Sequence, residues 1–375
     1  MLGKVSTLGP RVGKNFKTLI KWADEVRELG VRANADTLED AKIALQYECE
    51  GIGLTRTEHL FLQKKQRRLI REAIFTSDEK RMKSALDRMG KYQKEKFKEL
   101  LKVMEGLPVI IRLLDPPLHE FLPRKEDEIE NLAEDLEISK ERIKQTLETL
   151  EEVNPMLGHR GCRIGITNPN IYKMQARAIF EAAAELENEG VNVKPRIMVP
   201  LTSHVNEMKR IRETIEETQG EVMNKYEITD LDYKIGTMIE TPRACVTADE
   251  IASESDFFSF GTNDLTQMIF GLSRDDQEKF LPKYLEEGIF EKDPYQTLDR
   301  EGVGRMIKIT IDRGREAKPD LPIGVCGEQG SDPDSVKFCQ DTGIDYVSAS
   351  PYRVPIARFA AALANMEKPE EEEKY

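Results

Sequence analysis

Eight times along this chain a short apolar run ends in polar residues and gives way to a long helical pattern. The runs are "GVRANAD" from 30, "EGIGLTR" from 50, "LPVIIRLLD" from 107, "RIMVPLT" from 196, "KIGTMIET" from 234, "DFFSFGTND" from 256, "LPIGVCGE" from 321 and "DYVSASP" from 345. Near-continuous apolar runs read as strands buried on both faces. Amphipathic stretches such as "DTLEDAKIAL", "NIYKMQARAIFEAAAELENE" and "SHVNEMKRIRETIEET" lie between them. Strand and helix alternating eight times predicts an α/β fold, a (β/α)8 barrel. An open doubly wound sheet is the alternative, but no G-x-G-x-x-G turn follows the first run.

Two stretches exceed the repeat. Residues 61–105 read as a helical pair and residues 124–150 as a heavily charged helical segment, and both are expected to lie over the barrel. The expected organisation is a connector over 1–21, the barrel over 22–366 and a charged tail over 367–375.

Charge and cysteines narrow the function classes. With 56 basic and 69 acidic residues the formal net charge is -13, which argues against a general nucleic-acid binder. No stretch is long and apolar enough to span a bilayer, and "MLGKVSTLGP" lacks the apolar core of a signal peptide. The five cysteines (49, 162, 245, 326 and 339) are scattered, with no C-x-x-C pair. They predict a cytoplasmic chain with free thiols. The histidines, 59, 119, 159 and 204, form no H-x-x-x-H pair.

In such barrels the C-terminal strand ends carry the chemistry. The second run ends in Thr55 and Arg56, the third in Arg112 and Asp115, the fifth in Glu240, the sixth in Asn263 and Asp264, the seventh in Cys326. "NPMLGHRGCR", ahead of the fourth, adds Arg160 and Arg163. Each residue alone has a plainer reading: Asp115 precedes two prolines and could end a strand, Glu240 could cap the helix after Pro242, and Cys326 could be a small core residue. Their joint placement is what points to a site, because burying unpaired charge is expensive. Arginine forks match a phosphate, and Glu240 and Asp264 are hard oxygen ligands suited to Mg²⁺. The residues alone point to a small phosphorylated or carboxylated anion bound with magnesium.

Seven words in order, among them "GIGLTRTEHLF", "RLLDPPLHEFLP", "NPMLGHRGCR", "TMIETPRACVTADEIA", "FFSFGTNDLTQM" and "GVCGEQGSDPDSVKFC", resemble the phosphoenolpyruvate-binding C-terminal domain of the pyruvate, phosphate dikinase family. The resemblance runs from about Trp22 to about Leu363. Phosphoenolpyruvate synthase and enzyme I of the sugar phosphotransferase system share the barrel and some words, but "RLLDPPLHEF" and "NPMLGHRGCR" look like the dikinase. The resemblance implies that Arg56, Arg112 and Arg160 hold the phosphoryl group, with Asp115 orienting them. It implies that Glu240 and Asp264 coordinate Mg²⁺, that Asn263 and the backbone at Gly261 and Thr262 meet the carboxylate and enol oxygen, and that Cys326 protonates the methylene carbon. Thr55 stands where family members often carry cysteine.

The family's swivelling phosphohistidine domain and nucleotide-binding domain find no counterpart here, and no T-x-S-H-A-A-like word occurs. The expectation is a detached C-terminal half that interconverts phosphoenolpyruvate and pyruvate with a phosphohistidine on another domain or chain, as a homodimer. A phosphoenolpyruvate or pyruvate sensor without turnover, a phosphoenolpyruvate synthase-like subunit, and carbon–carbon or phosphorus–carbon chemistry on phosphoenolpyruvate are the alternatives.

Overall fold

The computed structural model describes residues 13–123 and 125–367. Eight parallel strands, β1 (Gly30–Asn34), β2 (Ile52–Arg56), β3 (Pro108–Arg112), β4 (Lys194–Val199), β5 (Lys234–Ile239), β6 (Phe258–Phe260), β7 (Ile323–Val325) and β8 (Tyr346–Ala349), close into a barrel in sequence order. Closure pairs Gly30 with Tyr346 through Ala33 with Ala349. Every expected strand is present, so the (β/α)8 reading holds.

Successive side chains on a strand point to opposite faces, and this splits the core in two. Ile111, Ile197 and Ile239 belong to the layer between strands and helices, with Phe180 and Ile215 from the helices. Leu54, Ile110, Met198, Met238, Cys326 and Tyr346 form a second cluster with Phe257. The interior is packed tightly enough that a Cβ on Gly324 would lie 2.0 Å from the Tyr346 ring.

Of the two long segments, the first differs from its expected role. Helix Glu79–Val103 packs between helix Leu38–Gln46 and helix Pro169–Asn188, so it is the ring helix that follows β2. The short helices His59–Leu62 and Lys64–Phe75 are additional. Amphipathic pattern is the same for either role, since both kinds of helix bury one face. Helices Glu126–Leu136 and Lys140–Leu150 do form a layer of their own, with Ile129, Leu132, Leu136 and Ile143 packed on Phe75 and Leu122.

Helix Lys14–Val26 crosses position 21–22, where the connector was expected to end. It lies against the last helix, Val354–Met366, through Phe16 on Phe359 and an ion pair between Asp24 and buried Arg358. The remainder of the expected connector (1–12) and of the tail (368–375) lies outside the described residues. Among the described residues no helix is long and apolar enough to cross a membrane, and all five cysteines are buried and unpaired.

Candidate active site

Strand alternation aims the site. Leu54, Ile110 and Met238 point into the barrel, so the residue two further along each strand direction, Arg56, Arg112 and Glu240, faces the same axis at the C-terminal mouth. A cavity of about 650 Å³ opens there, and Arg56, Arg112, Asp115, Glu240, Gly261, Asn263, Asp264 and Cys326 all line it. Arg160 and Thr262 were expected beside them and do not line it.

Asp115 is the centre of the charge network. Its carboxylate forms an ion pair with Arg112 Nη1 at 3.0 Å and accepts hydrogen bonds from Arg160 Nη2 at 2.7 Å and Arg160 Nε at 3.2 Å. Arg160 is nine-tenths buried and also donates from Nη1 to Asp264 Oδ1 at 2.9 Å. It therefore backs the site from behind two cavity carboxylates. Arg112 also pairs with Glu58, a cavity residue not picked out from the sequence. Burial pushes the Asp115 carboxyl up, but Arg112 and Arg160 outweigh it and hold it below the ordinary carboxylate range. Arg56 sits at the rim, paired with Asp36 at 2.7 Å and about half exposed. Arg163 faces away, donating to the carbonyl of Leu157 at 2.8 Å and tying its own loop.

Glu240 does not cap the helix after it. Thr241 does that, accepting from Ala244 N. Glu240 is fully buried; Oε1 accepts from Leu201 N at 2.7 Å, and Oε2 has no hydrogen-bond partner among the described residues. Burial, then the nearby Asp264 and Asp115, pushes its carboxyl well above the ordinary range. Gly261 leaves room beside it, since a Cβ there would lie 2.5 Å from Oε2. A buried, unpartnered carboxylate oxygen next to a second carboxylate is what a hard divalent cation satisfies, and Mg²⁺ needs only one or two protein carboxylates beside substrate oxygens and water. The residues present fit such an ion. Among the described residues no group of three or more His, Cys, Asp or Glu forms a fuller protein cage.

Cys326 follows β7 and is buried, its Sγ 3.5 Å from the Phe260 carbonyl. Burial pushes the thiol up to about 11, so it stays protonated. Asn263 reaches the cavity, and its Oδ1 accepts from Glu328 N at 3.4 Å. Gly261 N–H is already given to Ile239 O at 3.2 Å, so what Gly261 offers a ligand is space. The Thr262 hydroxyl turns inward and donates to Gln329 Oε1 at 2.6 Å. Thr55 is likewise turned away, bonded to Ala35 O at 2.9 Å.

The cavity also takes residues that the strand-end reading passed over: Asn34 and Asp36 at the end of the first run, Glu328 and Arg353 from the short 3-10 helices after β7 and β8, and Arg274 from a loop. Asn34 and Asp36 obey the same strand-end rule and were findable by it. Arg274 carries no local signal, because the loop that brings it is placed by tertiary packing, whereas Arg353 lies just past the end of β8.

The chain matches the family model for the PEP-binding domain of PEP-utilising enzymes over residues 11–366. It is 49% identical over 365 residues to pyruvate, phosphate dikinase from Rhizobium meliloti, covering 97% of this chain and 40% of that protein. It is 50% identical to the chloroplastic pyruvate, phosphate dikinase 1 of Arabidopsis thaliana (96% and 38%) and 47% identical to pyruvate, phosphate dikinase of Clostridium symbiosum (96% and 41%). The chain thus spans well under half the length of these relatives. A match over nearly all of its residues, on a barrel whose mouth gathers arginines and carboxylates, places the chain in the family of PEP-binding domains of PEP-utilising enzymes.

Proposed function

We propose that this chain carries the phosphoenolpyruvate–pyruvate half-reaction of a pyruvate, phosphate dikinase-type phosphotransferase, exchanging a phosphoryl group with a histidine on another domain or chain. The observation that carries the reading is the pairing of Asp115 with two buried arginines opposite the unpartnered Glu240 oxygen. One cavity thereby offers anion-binding forks and a cation site together.

Glu240 and Asp264 would hold Mg²⁺, which supplies positive charge for the phosphoryl and enol oxygens. Arg112, aimed by Asp115, holds the phosphoryl group, Arg160 fixes Asp115 and Asp264 from behind, and Arg56 joins Arg112 by leaving Asp36. Asn263 and the first-turn N–H groups of helix Thr262–Phe270 meet the carboxylate, as unpaired donors at a helix start do. The P–O bond to the enol oxygen breaks as the histidine nitrogen takes the phosphoryl group, and the electron pair stays on the enolate. The methylene carbon then takes its proton from Cys326 Sγ, which burial keeps neutral until the carbon becomes basic. In the reverse direction the thiolate removes a methyl proton from pyruvate. A cytoplasmic homodimer is the setting we assign; the buried unpaired cysteines support the reducing compartment.

The test mixes the chain with Mg²⁺, phosphoenolpyruvate labelled in its phosphoryl group and a separately made phosphohistidine domain. Label on the histidine is expected. Bound phosphoenolpyruvate without transfer would make the chain a binding module instead. The chain alone should form no phosphoenolpyruvate from ATP, phosphate and pyruvate.

A further inference from the structure

β3 leaves the sheet just before the most connected carboxylate of the site. Leu113 N–H still reaches across to Met198 O at 3.0 Å. Leu114 follows, beyond the strand, and its backbone groups need partners because a buried N–H or C=O left unpaired is costly. Both are met by side chains of helix Pro169–Asn188. Leu114 N–H donates to Gln175 Oε1 at 2.9 Å, and the Tyr172 hydroxyl donates to the Leu114 carbonyl at 2.9 Å. Residues three apart share one helix face, so a single turn clamps the peptide on either side of Leu114.

The clamp is rigid. Tyr172 and Gln175 are both fully buried. Gln175 Nε2 donates to Gln93 Oε1 at 3.4 Å, which fixes the amide with its oxygen toward Leu114. Gln93 is itself fully buried on the neighbouring ring helix. The Tyr172 ring presses on Gly165, where a Cβ would lie 2.5 Å from the ring carbons. Gly165 belongs to helix Cys162–Thr167, which begins two residues after Arg160. The Asp115 carbonyl accepts from Gly161 N at 2.7 Å, closing the loop between the two segments. Tyr172 thus touches the segment that carries Asp115 with its hydroxyl and the segment that carries Arg160 with its ring.

We propose that Tyr172 and Gln175 are positioning residues that set the aim of Asp115, and through it of Arg112, at the phosphoryl end of the substrate, with Arg160 bracing Asp115 from behind. This rests on the reading of the cavity as a phosphoenolpyruvate site. Their effect is specific to one end of the ligand. Pyruvate has no phosphoryl group, so it does not call on the Asp115–arginine fork.

Calorimetric titration of the intact chain with phosphoenolpyruvate, and separately with pyruvate, both with Mg²⁺, reads the difference. Tyr172→Phe keeps the ring and removes the donor; Gln175→Met keeps the length and removes the acceptor. Each should weaken phosphoenolpyruvate about fivefold or more, as loss of part of one charge-assisted hydrogen bond from a misaimed Arg112 to the phosphoryl group would, while pyruvate affinity stays at the wild-type value. A general loss of packing would lower both affinities together, and that result, or unchanged phosphoenolpyruvate affinity, overturns the positioning role. Tyr172→Phe removes one bond and Gln175→Met two, the one to Leu114 and the one to Gln93, and neither variant touches the other's bond to Leu114, so either decides if the other does not fold. A wild-type chain that fails to bind phosphoenolpyruvate with Mg²⁺ would overturn the site reading itself, and the positioning role with it. Wild-type binding with unaffected variants would overturn the positioning role alone.

Discussion

Replacing Asp115 by asparagine keeps its shape and removes its charge. The carboxylate accepts three contacts from two guanidiniums. The amide offers a single oxygen and turns an NH₂ toward a donor. Removing one partner of a buried ion pair costs about 3–5 kcal/mol, because it strands charge in the interior. Here each arginine retains another carboxylate, Glu58 for Arg112 and Asp264 for Arg160, so the low end, about 3 kcal/mol, is expected. For 375 residues, an unfolding entropy of about 2.1 cal/mol/K per residue is about 0.8 kcal/mol/K, and the melting temperature should fall by about 4 °C. The pH dependence has a definite sign. The folded carboxyl is held below its ordinary range, so its contribution is present above the unfolded value, about 3.9, and is lost as pH falls through the folded one. Scanning calorimetry without metal should show the full gap between wild type and Asp115→Asn at pH 7, and a gap that narrows below about pH 4. A fall under about 1 °C at pH 7, or a gap indifferent to acid, would refute the central place given to Asp115.

Glu240→Gln keeps the bond from Leu201 and removes a charge that burial resists. Because the folded carboxyl is raised, its own contribution to wild-type stability is fully present below the unfolded value, about 4.3, and declines as pH rises toward the folded value, by about 1.4 kcal/mol per pH unit. The metal-free variant should therefore melt above wild type at pH 8 yet gain nothing from Mg²⁺, and a wild-type-sized Mg²⁺ shift would remove Glu240 from the ligands. Gly261→Ala places a methyl 2.5 Å from Glu240 Oε2 and 2.7 Å from Met238 Sδ. Titration should show Mg²⁺-dependent phosphoenolpyruvate binding weakened about tenfold or more, and equal affinity would show that the space is not used. Cys326→Ala should bind phosphoenolpyruvate normally but stop exchange of pyruvate methyl protons with deuterated solvent when Mg²⁺ and the phosphohistidine domain are present. Cys326→Ser, with similar size and a weaker acid, should do the same; wild-type exchange in either variant would assign the proton to another group.

The sequence by itself determined the barrel and most of the mouth. Parallel strands buried on both faces must be apolar throughout, so each announces itself locally. Alternation along a strand then carries Arg112 and Glu240 to the position two beyond an inward-facing Ile110 or Met238. Asp264 and Cys326 were likewise legible from where their runs end. The tertiary structure decided which groups meet. Arg160 lies 45 residues from Asp115 and 104 from Asp264, and no local pattern records that one guanidinium will join them. Thr262, beside Asn263 in sequence, turns its hydroxyl to Gln329, because adjacent residues in a helix face different directions. Helix Glu79–Val103 proved to belong to the ring for the same kind of reason: its apolar stripe says that one face is buried, and only the packed neighbours say against what. Charge and periodicity are properties of a segment, whereas the arginine pairing that holds the Asp115 carboxyl down and the desolvation that pushes the Glu240 carboxyl up arise only when distant segments close around one another.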